Sequence, residues 1–469
     1  MFKRSFFHKL SPILALTILL SFRPALAAQQ PLDLSELEKI ALAEIKETNT
    51  PGAAVAVVSG DQVVFAGGFG VASVETSAPI TSNMLFQIGS MTKTFTAAAV
   101  VTLAEEGKIK LDAPIGSYVT GLSPKLSQVT LHQLLSHTAG LKDEPDEYGL
   151  HDETALANYM HSWKDDYCLL EPGQVFSYSN SGVALAGFVM QEVVGKLYAD
   201  HMSESLFKPL GMNRTTFRPT MAMTYPLAPG HRAQGKEKPT VVRPLADDSR
   251  LWPAGTMYSS INDLARFAIA FLNGGKIEGK QVLLPSVITQ LSTPRVEIPS
   301  FVDDTQYGYC LWINEHRGVC QVGHDGAMTG YVATLKMAPE HRFAVIILAN
   351  KDNGWLPKTL EKALELMLPL AAKSEVKPKP ALPMNAAEMR RYVGVYANPN
   401  RWTAEILMRD RKLVLKQFGA ELPITKIGDS RFSVQPPNAS QPQEFVIGLG
   451  ADGNPAYLHQ LVWAFKKEK

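Results

Sequence analysis

The order of strand-like and helix-like segments constrains the fold of this chain more than any other feature of its sequence. Residues 53–68 (AAVAVVSGDQVVFAGG) predict two short strands around a Gly-Asp turn, and strand-like segments return from about residue 307. Between these regions, from about residue 105 to 275, apolar residues recur at helical spacing. Strands at both ends of a helical region predict one sheet assembled from the two ends, which is an α+β arrangement.

The composition of the chain changes near residue 374. With 469 residues the chain is too long for one ordinary core, and SEVKPKPALPMN (374–385) has the composition of a semi-rigid linker. Beyond it, short alternating segments separated by turn residues predict a small all-β barrel or sandwich. We therefore expect a domain over residues 28–372, a linker over 373–385 and a β-domain over 386–469.

The first residues have the pattern of a secretory signal peptide. Lys3, Arg4 and Lys9 make the first nine residues positively charged, and residues 10–22 form a short apolar run. Residues 25–27 (ALA) then offer a small-x-small cleavage site. The apolar run is too short to span a bilayer. The sequence thus predicts a signal peptide over residues 1–27 and an exported protein, periplasmic in a bacterium or secreted, without a stable membrane anchor.

The charge balance and the histidine spacing argue against two classes of function. Lys and Arg number 46 and Asp and Glu 45, so there is no basic surplus to neutralise nucleic-acid phosphates. The 11 histidines form no H-E-x-x-H motif and no Cys/His cluster. We expect a small-molecule or peptide substrate, no metal and no cofactor; the oligomeric state stays open.

The cysteines allow two interpretations. YGYCLWINEHRGVCQVGH predicts a hairpin that turns between Asn314 and Gly318, so Cys310 and Cys320 could face each other. Export would permit a disulfide between them, but two unpaired, half-buried thiols fit the pattern as well. Cys168 has no obvious partner in the sequence.

Three S-x-x-K sequences occur, at Ser90–Lys93, Ser205–Lys208 and Ser374–Lys377, and only the first opens a segment that reads as a buried helix. Residues three apart share a helix face, so the Ser90 hydroxyl and the Lys93 amine can meet. A buried lysine loses its proton easily and can then serve as the base for a serine nucleophile. The alternative is an ordinary helix start, with Ser90 as cap and Lys93 reaching water.

Two further stretches, FSYSNSGV (176–183) and VGHDGAMTGY (322–331), add weight to the catalytic interpretation. With them the chain resembles the serine β-lactamase and penicillin-binding-protein superfamily, specifically its class C-like serine hydrolases. That family carries S-x-x-K, then Y-x-N, then K-T-G or a variant. Here the last two elements read Tyr178-Ser179-Asn180 and His324-Asp325-Gly326. The resemblance covers about residues 35–370 and implies a β-lactamase/transpeptidase-like domain, with an antiparallel sheet flanked by helices.

The resemblance also implies roles for individual residues. Ser90 would attack a carbonyl to form an acyl-enzyme, and Lys93, alone or sharing its proton with Tyr178, would take the hydroxyl proton. Asn180 would hold Lys93 and a substrate amide. The backbone N–H groups of Ser90 and of Ala327, which follows Gly326, would form the oxyanion hole. Taken singly, Tyr178 could be a core tyrosine, Asn180 a helix cap and His324 a turn residue.

One departure from the family pattern bears on the substrate. His324 stands where β-lactamases and transpeptidases usually carry lysine, and histidine is mostly neutral above pH 7. H-x-G at this position resembles the motif of D-aminopeptidases, related peptidases and some esterases of the same superfamily. Several of these enzymes also carry a C-terminal lipocalin-like domain, which residues 386–469 resemble. We expect His324 to titrate near its unperturbed pKa of about 6.5 and to sense a substrate carboxylate.

The function that these patterns imply is an exported serine hydrolase, acting as a peptidase or amidase on small peptides, D-amino-acid peptides or peptidoglycan fragments. An esterase or a weak class C-type β-lactamase is the alternative within the same class. A catalytically inactive protein that binds a ligand in its barrel is the alternative from another class.

Overall fold

A computed structural model describes residues 33–143, 147–235, 237–301, 304–374, 379–437, 439 and 441–468. The predicted signal peptide and part of the Ser374–Lys377 sequence lie outside these residues. Within the described ranges, every helix is too short or too polar to cross a bilayer.

The secondary structure consists of short strands and helices in alternation, followed by strands alone. The helices are α1 Ser35–Glu47, α2 Thr92–Glu105, α3 Pro124–Ser127, α4 Leu131–Leu135, α5 Ala155–Ser162, α6 Asn180–Val194, α7 Tyr198–Met202, α8 Lys208–Leu210, α9 Pro219–Ala222, α10 Trp252–Gly255, α11 Ile261–Leu272, α12 Pro285–Ser292, α13 Pro357–Met367 and α14 Ala386–Tyr392. The strands are β1 Gly52–Ser59, β2 Gln62–Gly70, β3 Phe86–Gln87, β4 His231–Arg232, β5 Thr240–Val241, β6 Tyr258–Ser259, β7 Lys276–Ile277, β8 Lys280–Gln281, β9 Val296–Glu297, β10 Gln306–Tyr307, β11 Trp312–His316, β12 Val319–Met328, β13 Tyr331–Ala338, β14 Phe343–Ala349, β15 Gly394–Ala397, β16 Thr403–Arg409, β17 Lys412–Gln417, β18 Ala420–Pro423, β19 Thr425–Lys426, β20 Arg431–Val434, β21 Gln443–Leu449, β22 Pro455–Gln460 and β23 Trp463–Lys467.

The first sheet joins the two ends of the helical region, which confirms the predicted α+β arrangement. Its strand order is β2-β1-β14-β13-β12-β11-β10-β9, and β1 pairs antiparallel with β14 from Ala53↔Ala349 to Ser59↔Phe343. Successive side chains of a strand point to opposite faces. Accordingly, Ala54 and Ala56 of β1 pack in the core beneath α2, α6 and α11, whereas Val55 packs in a second core with α1 and α13. Both faces of the sheet are covered by helices.

The second sheet forms the nearly closed β-barrel that the C-terminal strand pattern predicts. Its order is β18-β17-β16-β15-β23-β22-β21-β20-β19, and its two edge strands are neighbours in the chain, separated only by Ile424. The interior is filled by buried apolar side chains, including Ile406, Leu415, Phe432, Phe445 and Phe465. A filled interior disfavours the hypothesis that the barrel holds a ligand.

The hairpin around the cysteines turns within the predicted segment, but the disulfide interpretation is wrong. The turn falls at Arg317–Gly318, and Cys320 is paired with Glu315 across the β11–β12 ladder. Cys310 precedes β11, is fully buried and packs its thiol against the carbonyl oxygen of Leu135. Because Cys320 is exposed and Cys310 is buried, the two cannot face each other, and both are free thiols, as is Cys168.

Candidate active site

A tight turn places Ser90 against the sheet. Residues Gly89–Met91 form a 3₁₀ turn that leads into α2, and Gly89 has a φ of +54°, which favours glycine. A Cβ atom on Gly89 would lie 2.5 Å from the backbone nitrogen of Ala327 on β12. The glycine therefore lets the turn approach β12 closely, and Ser90 lies beside the Ala327 amide.

Lys93 lies in the first turn of α2 and is completely buried. Its Nζ lies 2.9 Å from Ser90 Oγ, 2.7 Å from Asn180 Oδ1 and 2.5 Å from the carbonyl oxygen of Ala254. Desolvation lowers the pKa of Lys93 from 10.5 to about 7, against the opposing charge of Asp143. A large fraction of Lys93 is thus a neutral amine near pH 7.

The partners of Lys93 determine where its lone pair points. The oxygens of Asn180 and Ala254 can only accept hydrogen bonds, so they take the two N–H groups of a neutral amine. The remaining lone pair then faces the Ser90 hydroxyl. The arrangement suits transfer of the Ser90 proton to Lys93.

Tyr178 completes this arrangement from the other side of Ser90. Its ring lies 4.9 Å from Lys93 Nζ, its hydroxyl is hydrogen-bonded to Ser90, and its backbone N–H donates to the carbonyl oxygen of Val462 in the barrel at 2.8 Å. Burial raises the pKa of Tyr178 well above its ordinary value. Tyr178 therefore remains protonated and can donate to Ser90, whereas Lys93, with its lowered pKa, is able to accept a proton.

Asn180 is the first residue of α6, but it is not the helix cap. Ser179 caps α6, because its hydroxyl accepts the Gly182 N–H at 2.9 Å. The Asn180 backbone N–H donates to Asp143 Oδ1 at 2.7 Å, and its side-chain Nδ2 lies 3.4 Å from Asp143 Oδ2. Asp143 thus orients the amide so that its oxygen faces Lys93.

His324 is buried on β12 and does not titrate as the sequence predicts. Its Nδ1 lies 2.6 Å from the carbonyl oxygen of Asp325, so Nδ1 carries the proton and Nε2 accepts from the Tyr307 hydroxyl at 3.0 Å. Burial, together with the charge of Lys93, lowers the pKa of His324 to about 3. The expectation of a charge change near pH 6.5 is therefore wrong, because that value applies to a solvated histidine.

The end of β12 offers backbone groups to the cleft. Met328 and Tyr331 close a two-residue hairpin, so the next pair, Ala327 and Val332, turns its N–H and C=O groups away from each other. The Ala327 amide then faces the turn at Gly89, in agreement with the 2.5 Å approach. A Cβ atom on Gly326 would lie 1.9 Å from the carbonyl oxygen of Ile88, so glycine is needed for this contact.

These residues open into one cleft of about 620 Å³ between the sheet, the helical region and the barrel. Its lining includes Ser90, Tyr178, Asn180, His324, Gly326 and Ala327, but also residues that sequence reasoning missed, namely Glu147, Trp312, Lys336, Trp355, Arg401 and Trp463. Lys93 is buried beneath the floor of this cleft. Within the described ranges, no group of three or more His, Cys, Asp or Glu residues could hold a metal ion.

A comparison with protein families agrees with this geometry. The model of the family Beta-lactamase matches residues 37–366. The chain belongs to the beta-lactamase family. The resemblance to the serine β-lactamase and penicillin-binding-protein superfamily is thereby confirmed, and membership implies a hydrolase fold.

Comparisons with individual proteins show the extent of the likeness. Protein flp of Staphylococcus aureus (strain N315) is 26% identical over 339 residues, which are 70% of this chain but only 65% of that relative. The chain thus spans less than two thirds of that relative's length. The crystal structure of SurE superimposes with a TM-score of 0.76 at 24% identity, over 92% of this chain and 99% of SurE. The crystal structure of the D-amino acid amidase of Ochrobactrum anthropi SV3 superimposes with a TM-score of 0.59 at 22% identity, over 71% of this chain and 97% of the amidase.

The barrel residues of the site had no signal in the sequence. Arg401 and Trp463 lie in short phrases of the β-domain, far from the three motifs of the beta-lactamase family. Glu147 and Asp143 follow LHQLLSHTAGL (131–141), which points to the family but not to a polar role for the residues after it. Only the docking of the barrel on the first sheet's domain brings Arg401 to Asp143.

The burial of His324 leads to a prediction that contradicts charge sensing. We expect the ratio of kcat/KM for a carboxylate substrate to that for its methyl ester to stay flat between about pH 5.5 and 8.5, because a pKa of about 3 keeps His324 neutral throughout. The matched variant is His324→Gln, which is neutral at every pH and should give the same flat ratio. A sigmoidal change in the wild type that disappears in His324→Gln would show that His324 does titrate in this range.

Proposed function

We propose that this protein is a serine hydrolase that cleaves amide bonds through an acyl-enzyme on Ser90. The observation that carries the proposal is the environment of Lys93, whose two acceptor partners leave its lone pair for the Ser90 hydroxyl at 2.9 Å. A group that must act as a base is held close to its substrate proton and is partly neutral at working pH. Lys93 meets both requirements.

The geometry supports one sequence of proton transfers. Ser90 Oγ attacks the carbonyl carbon of the substrate while Lys93 takes the hydroxyl proton. The backbone N–H groups of Ser90 and Ala327 stabilise the negative oxygen of the tetrahedral intermediate. The protonated Lys93 then returns the proton, through the Tyr178 hydroxyl, to the leaving nitrogen. A water molecule then attacks the acyl-enzyme ester in the same way, which releases the carboxylic acid product and restores the Ser90 hydroxyl.

The charges that line the cleft favour substrates with a free amino group. Asp325 is paired with Lys336 at 2.9 Å and Asp143 with Arg401, whereas Glu147 Oε2 accepts a backbone N–H from Thr329 at 2.7 Å. An ammonium group on the substrate would be the natural counter-ion of the Glu147 carboxylate. We therefore favour amino-acid amides and small peptides, including D-amino-acid peptides and peptidoglycan fragments. The relation to a D-amino acid amidase supports this class.

The other functions have less support. A β-lactamase acting on penicillins would profit from a cation near the substrate carboxylate, and His324 is neutral. An esterase would use the same Ser90 chemistry, so it remains the second candidate. The inactive ligand-binding protein is disfavoured by the filled barrel and by the Ser90–Lys93 geometry. The signal peptide over residues 1–27 and the domain bounds 28–372 and 386–469 stay part of the proposal.

The test of the substrate class uses Glu147→Gln. This change should lower kcat/KM for aminoacyl amides with a free amino group by about tenfold, because a charge-assisted hydrogen bond is lost. The same amides with an N-acetyl group should be hydrolysed equally by both proteins. The panel should contain D- and L-forms, simple esters and a chromogenic cephalosporin.

The control for this experiment is Glu340→Gln, because Glu340 is an exposed carboxylate on the turn after β13. It should leave all rates unchanged. Equal losses on free and N-acetylated substrates in Glu147→Gln would contradict an amine-binding role. Hydrolysis of esters alone, with no amide turned over, would favour the esterase.

A further inference from the structure

One loop of the C-terminal barrel reaches the catalytic centre. Residues 398–402 connect β15 to β16 in a turn closed by hydrogen bonds between Asn398 and both Arg401 and Trp402. The Arg401 side chain leaves this turn and forms an ion pair with Asp143 of the other domain. Both are shielded from water, with 16% of the Arg401 side chain and 1% of the Asp143 side chain exposed.

The position of Arg401 is supported from a second side. Its guanidinium carbon lies 4.4 Å from the ring centroid of Trp463, which also belongs to the barrel. Cation–π contacts of this kind are strongest when water is excluded. The barrel itself therefore holds Arg401 in the cleft, in addition to the ion pair with Asp143.

Asp143 connects Arg401 to the proposed base. The Asp143 carboxylate accepts hydrogen bonds from the backbone and the side chain of Asn180, and Asn180 Oδ1 accepts from Lys93 Nζ at 2.7 Å. The series Arg401–Asp143–Asn180–Lys93 is continuous. A buried carboxylate that lost its cation would turn to other donors, among them Asn180 and Lys93.

Among the described groups that face Lys93, only Asp143 and Arg401 are charged near pH 7. Burial lowers the pKa of His137 and of His324, and burial raises the pKa of Cys310 and of Tyr178, so all four are uncharged near pH 7. Asp143 and Arg401 act on the pKa of Lys93 in opposite directions, Asp143 raising it and Arg401 lowering it. Removing Arg401 would leave the Asp143 charge uncompensated.

We propose that Arg401 is a positioning residue of the Ser90 site, through which the barrel keeps Asp143 paired and so holds Asn180 and Lys93 in their working arrangement. The inference rests on the proposed function of Lys93 as the base. It gives the barrel a part in the chemistry itself, beyond its part in lining the cleft.

The test follows the rate of Ser90 modification by a fluorophosphonate as a function of pH, in the full mature chain. The wild type should show an acid limb near pH 7, from the pKa of Lys93. In Arg401→Gln this limb should move up by about one unit, since an uncompensated carboxylate near a cationic acid raises its pKa. Phosphonylation at pH 7 should then fall about fivefold, because the neutral fraction of Lys93 falls by that factor, and kcat for an uncharged ester should fall while KM changes little.

Three further variants make the test independent of folding and of general damage. Arg401→Gln combined with Asp143→Asn removes both charges and should bring the limb back towards the wild type. Asp143→Asn alone should move it to lower pH, because Arg401 then acts without its partner. Arg409→Gln changes an exposed arginine of the same barrel, paired with Glu421, and should leave the profile unchanged.

The outcomes separate the two proposals. A wild type that is not labelled on Ser90 would overturn the proposed function. A labelled wild type with the same acid limb in Arg401→Gln, or a double variant that keeps the shifted limb, would overturn the role of Arg401 alone. A raised KM confined to carboxylate substrates, without a shifted limb, would show that Arg401 binds substrate directly and would likewise overturn it.

Discussion

Replacement of Ser90 by alanine is expected to abolish formation of the acyl-enzyme. Ser90 Oγ is the atom between the Lys93 amine and the Tyr178 hydroxyl, and an alanine methyl group cannot form the covalent bond. The measurement is the intact mass of the protein after treatment with a fluorophosphonate. The wild type should gain the mass of one adduct, and Ser90→Ala should gain none.

The chain offers a matched control in its second S-x-x-K sequence. Ser205 and Lys208 have the same spacing, but both are exposed, and the Ser205 hydroxyl is bonded to the carbonyl oxygen of His201 at 2.7 Å. Ser205→Ala should be labelled like the wild type. An adduct that persists in Ser90→Ala, located by peptide mapping on another serine, would show that the nucleophile has been misassigned.

Replacement of Lys93 by methionine is expected to lower kcat by about 10²–10⁴-fold, the range typical of a general base. Methionine resembles the lysine stem in shape, so the loss reports on the amine and not on a cavity in the core. In the wild type, kcat/KM should rise with pH through about 7, because the active form of Lys93 is the neutral one. In Lys93→Met this rise of kcat/KM with pH should be absent.

Lys208→Met serves as the matched control for this change, since Lys208 lies on the surface. It should retain the wild-type rate and the wild-type pH profile. If Lys93→Met kept an acid limb near pH 7, another group would be the base. A loss of less than tenfold would likewise argue that Lys93 only positions Ser90.

The proposed site illustrates how one protein can assemble catalytic geometry from distant segments. Ser90 and Lys93 come from one helix start, Asn180 from the start of α6, and Ala254 from α10. The barrel then adds a backbone carbonyl for Tyr178 and a cation for Asp143. Each segment brings a group whose value depends on the others, which is usual for buried polar networks.

The sequence by itself determined the elements that depend on local spacing. An i, i+3 pair on a helix must share a face, so the spacing alone predicts that Ser90 and Lys93 lie together. Strand patterns at both ends of a helical region predicted the joined sheet, which the pairing of β1 with β14 confirms. The alternating pattern after residue 385 predicted the barrel in the same way.

Only the tertiary structure decided the properties that depend on desolvation and on distant partners. The lowered pKa of Lys93 and the neutrality of His324 arise from burial by segments that lie far away in the chain. The ion pair of Arg401 with Asp143 joins residues from two domains, and the separation of Cys310 from Cys320 depends on a strand register. Local sequence sets which side chains can face the same way, but it does not specify what packs over them, and that packing sets their charge.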